Sequence, residues 1–440
     1  MLLMRTMKEQ SADFDKLDLI IKNLSTIDAK MVKDSFELAC SIHGDKKRST
    51  GLFIEHALET AKIIADWLPN GEMISSALLH DTLDPKNTVK KINKTEIENL
   101  VGKRAAQIIS EVYRLGLIQQ KNLFLATYAG DDVSLIFNKN LYALLIKLAS
   151  GMDTAQRLAT IDDKKNIQKH GKDLLSRHAS LAAQLGMWDY KRKMEDACLK
   201  AMSPEEFQEL EYHQTTIIEK YADRIKEIQT DVYRQCEVKG IRIFVECHSK
   251  HIYSLYQSVF PKWGNAKQST KSILPIEQLI RLSILTEKKD DCYRTLGCVH
   301  SIADPVNDVV RDYIASPKPN GYAEIRTAIL VPFGANYTKL RVNISTQATQ
   351  NIRDNGILSI PDLINPSSTS VEMMERFSEE DGSRDCVKVI LNSLSQRNQG
   401  SQASHIRTYT PQGRCVDLRS GASPLDFAFA VHTELGYKYD

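Results

Sequence analysis

The spacing of apolar residues changes character once along this chain, and that change does most to limit the fold. From Asp15 to about Met202 apolar positions recur three to four residues apart: Leu17, Ile20, Ile21 and Leu24; Leu58, Ala61, Ile64 and Leu68; Leu141, Leu144, Leu145 and Leu148. This period puts one buried stripe on each of a series of helices. After Lys239-Gly240 short β-rich runs replace it, at Ile241–Val245, Leu279–Leu285, Ile325–Val331 and Leu340–Ile344, with a helix expected at Ile252–Phe260. The pattern predicts a multidomain chain of α plus α/β type, an all-α domain followed by a mixed α/β domain.

Punctuation residues set the expected boundaries. Residues 1–202 form the all-α domain, in which Ser49 and Thr50 are candidate N-caps of the second helix and Pro69-Asn70-Gly71 ends it. Ser203-Pro204-Glu205-Glu206 opens one connecting helix over 203–235, with proline in the first turn. The α/β domain occupies 236–346, then a helix at about Val371–Asn392 and a polar linker lie within 347–405. Residues 406–440 alternate like a β-hairpin and enter a helix at Leu425–Phe429, which is expected to be the first part of a small domain that continues beyond Asp440.

Charge and cysteine usage exclude several function classes. Lys and Arg total 58 against 56 Asp and Glu, a net charge of +2, so the chain is no nucleic-acid polycation. Clusters at Lys46-Lys47-Arg48, Lys90-Lys91 and Lys164-Lys165 are solvated faces or the border of an anion pocket. The 8 cysteines form no CxxC pair, which argues against a zinc ribbon or a disulfide framework. No run approaches the roughly 18 apolar residues of a membrane-spanning helix, so a cytoplasmic protein without membrane contact is expected.

One stretch carries chemistry. Ile74-Ser75-Ser76-Ala77-Leu78-Leu79 runs into His80-Asp81, with His56 upstream. Imidazole and carboxylate together suit a divalent ion such as manganese, iron or zinc. An isolated His-Asp pair also ends many helices as a solvated cap, so the dipeptide alone leaves both readings open.

Longer blocks surround it. His43-Gly44-Asp45-Lys46-Lys47-Arg48-Ser49-Thr50-Gly51 through His56, Ala77–Asp81, Ile146-Lys147-Leu148-Ala149 and Ala179–Met187 resemble the hydrolase domain of the RelA/SpoT family, enzymes that make and destroy the alarmone (p)ppGpp. Lys250–Ser254, Asp291–His300 and Asp312–Tyr322 resemble its synthetase domain, and Tyr409–Gly413 with Pro424–Thr433 the start of its TGS domain. The resemblance implies an all-α HD-type hydrolase domain, a nucleotidyltransferase-like α/β domain and the beginning of a β-grasp TGS domain. It also implies a guanine nucleotide or (p)ppGpp as ligand, and the ribosome or tRNA as a partner through the TGS part and a region C-terminal to it.

The match departs from the family at functional positions. The family binds manganese through a His, the HD pair and a later Asp; His56, His80 and Asp81 match, whereas Ser150 stands at the fourth position. Asp153, on the same helical face as Ser150, is a candidate replacement ligand. Asp84 keeps one carboxylate of the family's Glu-Asp acid-base doublet, Thr154 replaces a substrate-contacting Asn, and Lys47 or its neighbour Arg48 stands for a substrate-binding Arg. In the synthetase part His248 and Ser258 replace phosphate-binding cations, Gln278 a magnesium-binding Asp, and Arg341 the catalytic Glu. Lys318, Asn320 and Tyr322 are kept and would hold a guanine base by stacking. Magnesium is not expected there. These departures predict an inactive synthetase, an impaired hydrolase and a nucleotide-binding regulatory role, or else a manganese-dependent (p)ppGpp 3′-pyrophosphohydrolase.

Overall fold

The computed structural model describes residues 7–120, 133–259, 274–307, 309–316, 323–334, 336–359, 405–409, 415–419 and 422–431. Lys318, Asn320, Tyr322 and the helix expected at about Val371–Asn392 lie outside the described residues. The chain forms two compact units, built chiefly on Met1–Ala183 and on Gln184–Ile360. No described helix is long and apolar enough to cross a membrane.

The first unit is helical: α1 (Met7–Ile21), α2 (Thr26–His43), α3 (Phe53–Trp67), α4 (Gly71–Leu78), α5 (Lys94–Gln120), α6 (Val133–Gln156) and α7 (Lys164–Asp173). Helix α3 follows the expected stripe and buries Ile54, Ala57, Leu58, Ala61 and Ile64. In α4 all but Glu72 are buried, and it packs against α2, α3 and α5. An apolar run too short to show a polar face becomes a central helix. Asn70 caps α4 by accepting from the Met73 amide at 3.2 Å. Gly71 lets α2 approach, since a Cβ there would lie 2.5 Å from Asp28 Oδ1.

Two expectations about helix limits are corrected. Ser49 and Thr50 cap no helix; they form the turn between β1 (Lys47–Arg48) and β2 (Gly51–Leu52), and α3 starts only at Phe53. The single connecting helix is two, broken at Tyr221, whose φ/ψ of −111/13 leaves the helical region. After α7 the backbone widens into a π-helical turn over Leu174–Ala179 and continues as α8 (Ser180–Gln184).

The second unit contains α9 (Trp188–Met202), α10 (Pro204–Lys220), α11 (Ala222–Val238), β3 (Ile243–Ser249), α12 (Ile252–Val259), α13 (Ile276–Leu279), β4 (Ile280–Thr286), α14 (Lys289–Ile302), β5 (Arg311–Asp312), β6 (Ile325–Phe333), β7 (Asn336–Thr346) and α15 (Gln347–Asn355). The strands form one mixed sheet in the order β3-β4-β7-β6-β5, with β4 and β7 parallel and the other pairs antiparallel. All four runs expected from sequence form strands, displaced or extended by a few residues.

Register separates the two sheet faces, because residues directly opposite one another share a face and alternate residues swap. One face carries Cys247, Leu282, Val342 and Thr327 in a row across four strands, then Val245, Ile284, Ile344 and Ile325. Helix α14 covers this apolar face, and His300 on it meets the Thr327 hydroxyl at 2.8 Å. The other face is polar and bears arginines.

Near the C-terminal end β8 (His405–Tyr409) and β9 (Cys415–Arg419) form an antiparallel hairpin, followed by α16 (Pro424–Val431), as the alternation implied.

Candidate metal centre

Helix α4 stops at Leu78, and Leu79 is its C-cap. His80 and Asp81 therefore sit in the turn beyond the helix, free of the roughly 100° separation that helical geometry imposes on neighbours. Their ligand atoms face the same point: His80 Nε2 lies 3.3 Å from Asp81 Oδ2. His56, on the first turn of α3, brings its Nε2 to 3.9 Å from the same oxygen. The three ligand atoms lie within 4.8 Å of one another.

Hydrogen bonds fix which ring nitrogens point there. His80 Nδ1 donates to the Ala77 carbonyl at 2.7 Å. His56 Nδ1 donates to Asp153 Oδ2 at 2.6 Å. Each Nε2 is then a bare lone pair. Burial lowers the pKa of both histidines, so both rings are neutral, the form that ligates metals. Burial alone would raise Asp81, but the charges around it, Lys147 and Arg48 among them, outweigh it and hold the acid below the ordinary carboxylate range.

The donor set fits a divalent cation. His80 Nε2 is buried and has no hydrogen-bond partner among the described residues. It faces a carboxylate with no proton between them, an arrangement that repels unless a cation lies there.

The remaining site residues fall into place around this point. Asp153 Oδ2 is on the Nδ1 edge of His56, and its Oδ1 accepts from Arg157 Nε at 2.8 Å. Arg157 Nη1 also donates to Glu55 Oε2 at 3.1 Å. Ser150 Oγ occupies the other edge of the ring, 3.0 Å from His56 Nε2. Thr154 Oγ1 donates to the Ser150 carbonyl and accepts from Arg48 Nη2, both at 2.9 Å.

Of the two candidate cations near the start of the site, Arg48 enters it while Lys47 is exposed. The β1–β2 turn makes the choice, since neighbouring strand residues point to opposite sides. Arg48 Nη1 is buried and unpartnered among the described residues. Asp84 is half-buried in the loop after the pair and accepts from the Lys86 amide at 2.9 Å.

Three neighbours were not apparent from sequence. Lys147 is half-buried one turn before Ser150; burial lowers its pKa, Asp81 counteracts this, and Arg48 adds to it. His178, in the π-helical turn, packs on Gly151, and burial followed by the charges of Lys147 and Arg177 pushes its pKa down to about 3. Arg157 clamps Asp153. Only the π turn, a feature frequent at functional sites, would have marked this region, and the sequence does not display it.

Comparison with known proteins covers most of the chain. Residues 35–188 match the HD domain, 248–360 the region found in RelA / SpoT proteins, and 406–439 the TGS domain. The guanosine-3′,5′-bis(diphosphate) 3′-pyrophosphohydrolase of Aquifex aeolicus is 28% identical over 417 residues, covering 93% of this chain and 57% of that protein. The bifunctional (p)ppGpp synthase/hydrolase SpoT of Escherichia coli is 25% identical over 443 residues, covering 96% and 59%. The GTP pyrophosphokinase rsh of Brucella ovis is 24% identical over 431 residues, covering 93% and 54%. The chain thus spans little more than half the length of these relatives.

An all-α HD domain with a buried His/Asp centre, a mixed-sheet domain of synthetase type and a TGS domain, in this order, define a multidomain class. The chain is a RelA/SpoT homologue.

Proposed function

We propose that the chain binds (p)ppGpp, or a closely related guanine nucleotide, at the HD centre and removes its 3′-pyrophosphate with a divalent cation, manganese by preference. The observation that carries this reading is the convergence of His56 Nε2, His80 Nε2 and Asp81 Oδ2, with the other nitrogen of each ring committed to a hydrogen bond. A divalent ion bound there supplies an activated water and polarises a phosphoryl oxygen.

The chain's own residues do the rest. Arg48 presents an unpaired Nη1 suited to a phosphate oxygen. Lys147 adds a second charge beside the centre. Asp84 offers a proton acceptor, and Thr154 holds Arg48 in place. Asp153 orients the His56 ring and, with both oxygens engaged, serves as its anchor in preference to being a fourth ligand.

Pyrophosphate synthesis is not part of this reading. Arg341 is exposed on β7 where a general base is needed, and Gln278 on α13 offers no carboxylate for magnesium. The reading places the protein in the cytoplasm, with the TGS part as the surface for a ribosome or tRNA partner.

One observation favours binding without turnover: the group 3.0 Å from His56 Nε2 is the Ser150 hydroxyl and not a carboxylate. Metal analysis of the purified protein beside a (p)ppGpp hydrolysis assay with manganese decides between the two. Hydrolysis is expected, with His80→Ala abolishing both metal content and turnover. Retained nucleotide binding with no turnover at saturating manganese would leave the regulatory reading.

A further inference from the structure

Two cysteines far apart in the chain meet in the second unit. Cys236, in the last turn of α11, and Cys298, on α14, are both fully buried and share a small apolar cluster with Ile241, against which Ile243 packs. The Cys298 thiol donates to the carbonyl of Gln235, the residue before Cys236, at 3.7 Å. The two thiols also interact directly. Cys292, two turns before Cys298 on α14, is engaged elsewhere, its sulfur 3.1 Å from the Thr286 hydroxyl.

The cover over this pair is thin. Between Tyr233 and Gly240 Cys236 is the only buried residue, and Glu237, Val238, Lys239 and Gly240 after it are all exposed. The helix ends here: Lys239 is its C-cap, and Gly240, at φ +67, turns the chain towards β3. The Lys239 and Ile241 amides hold the Cys236 carbonyl at 3.1 and 2.9 Å. A helix end held by a few exposed hydrogen bonds over a small cluster opens locally far more easily than the whole domain unfolds. While it is closed, burial and then Cys298 push the Cys236 thiol up to about 12, which protects it, because the thiolate is the reactive form. Opening of the last turn removes that protection.

We propose that Cys236 and Cys298 form a reversible disulfide on exposure to hydrogen peroxide, joining α11 to α14. The Cys236 thiolate attacks one peroxide oxygen and the O–O bond breaks. A sulfenic acid forms on Cys236, and the departing hydroxide takes up the proton the thiol has released, giving water. The Cys298 sulfur then attacks the sulfenic sulfur, the S–O bond breaks, and the hydroxyl leaves with the Cys298 proton as a second water. Each sulfur gives up one electron, and the two peroxide oxygens take one each. A small uncharged oxidant suits a sulfur lying one layer beneath the surface, and a thiol reductant restores both thiols. Links of this transient kind serve as redox sensors in reducing compartments. The disulfide closes a loop containing β3, α12, α13 and β4, and it pins α14, the cover of the apolar sheet face, to α11. Closing such a loop restricts the unfolded chain and so favours the folded unit. None of this rests on the HD centre, and the hydrolase reading can fail without it.

The test is peroxide treatment of the reduced full chain, followed by alkylation of the remaining thiols and peptide mapping by mass spectrometry. A peptide pair joined through Cys236 and Cys298, two hydrogens lighter than its reduced parts, is expected in most chains, with dithiothreitol restoring both thiols. The linked chain is also expected to unfold at a higher denaturant concentration than the reduced one, a shift absent in Cys236→Ala and in Cys298→Ala. Both cysteines left as free thiols, both carried to sulfinic acid, or either joined to a different cysteine would overturn the proposal. Mapping of the unaltered chain decides alone if a variant does not fold, as followed by circular dichroism.

Discussion

At the scale of single residues, the geometry of the candidate centre depends on groups outside the His56, His80 and Asp81 cluster. Asp153 fixes the His56 tautomer, and Arg157 fixes Asp153. We expect Asp153→Asn to weaken manganese affinity by about 10- to 100-fold, as loss of an orienting partner does elsewhere, read by metal titration. Ser150→Asp should act in the opposite direction: a carboxylate in place of a hydroxyl beside His56 Nε2 is expected to tighten manganese binding by about tenfold. Unchanged affinity would mean that position 150 does not face the ion. That His56, His80 and Asp81 come together was anticipated because the longer blocks around them resemble a family that pairs these residues, whereas the His-Asp dipeptide alone left two readings open. Arg157 and Lys147 were not anticipated, because their roles arise from packing α6 against α3 and against the turn after α4, about a hundred residues apart in the case of His56 and Asp153. The choice of Arg48 over Lys47 likewise required the β1–β2 turn.

At the scale of elements, the π-helical turn over Leu174–Ala179 seats His178 on Gly151, where an added Cβ would lie 2.5 Å from the ring. Gly151→Ala is therefore expected to lower stability by about 1–3 kcal/mol through overpacking and to disturb α6 at Ser150, measured by denaturant unfolding and by metal affinity. Gly356, after α15, is stricter: its φ is +55 and a Cβ would come within 2.2 Å of the Leu185 carbonyl oxygen. Backbone cannot yield as a side chain can, so Gly356→Ala should cost about 2–4 kcal/mol, combining left-handed strain with the clash. Helices and strands were legible from period and composition. Their limits were less so: at Tyr221 nothing in the residue types announces a break, and at Ser49-Thr50 good cap residues are used in a hairpin turn instead.

For the whole molecule, the order of domains could be read from the sequence, because long motif blocks and the change of period agree. The chain's two compact units each have their own core, and we expect two unfolding transitions by calorimetry. Manganese at about 100 times its dissociation constant should stabilise the transition of the helical unit by about 2.7 kcal/mol and leave the other in place. EDTA should reverse the shift, and His80→Ala should abolish it. A shift of both transitions, or of neither, would contradict a single metal centre in the HD domain. The arrangement of rows on the sheet also bears on how the second unit reaches its fold. A slip of one residue in the β4–β7 pairing would turn Arg281 or Arg341 into the apolar layer beneath α14, where an unpaired guanidinium has no place. Arg281 and Arg341 thus act as a key for strand alignment, excluding misregistered sheets as the second unit forms.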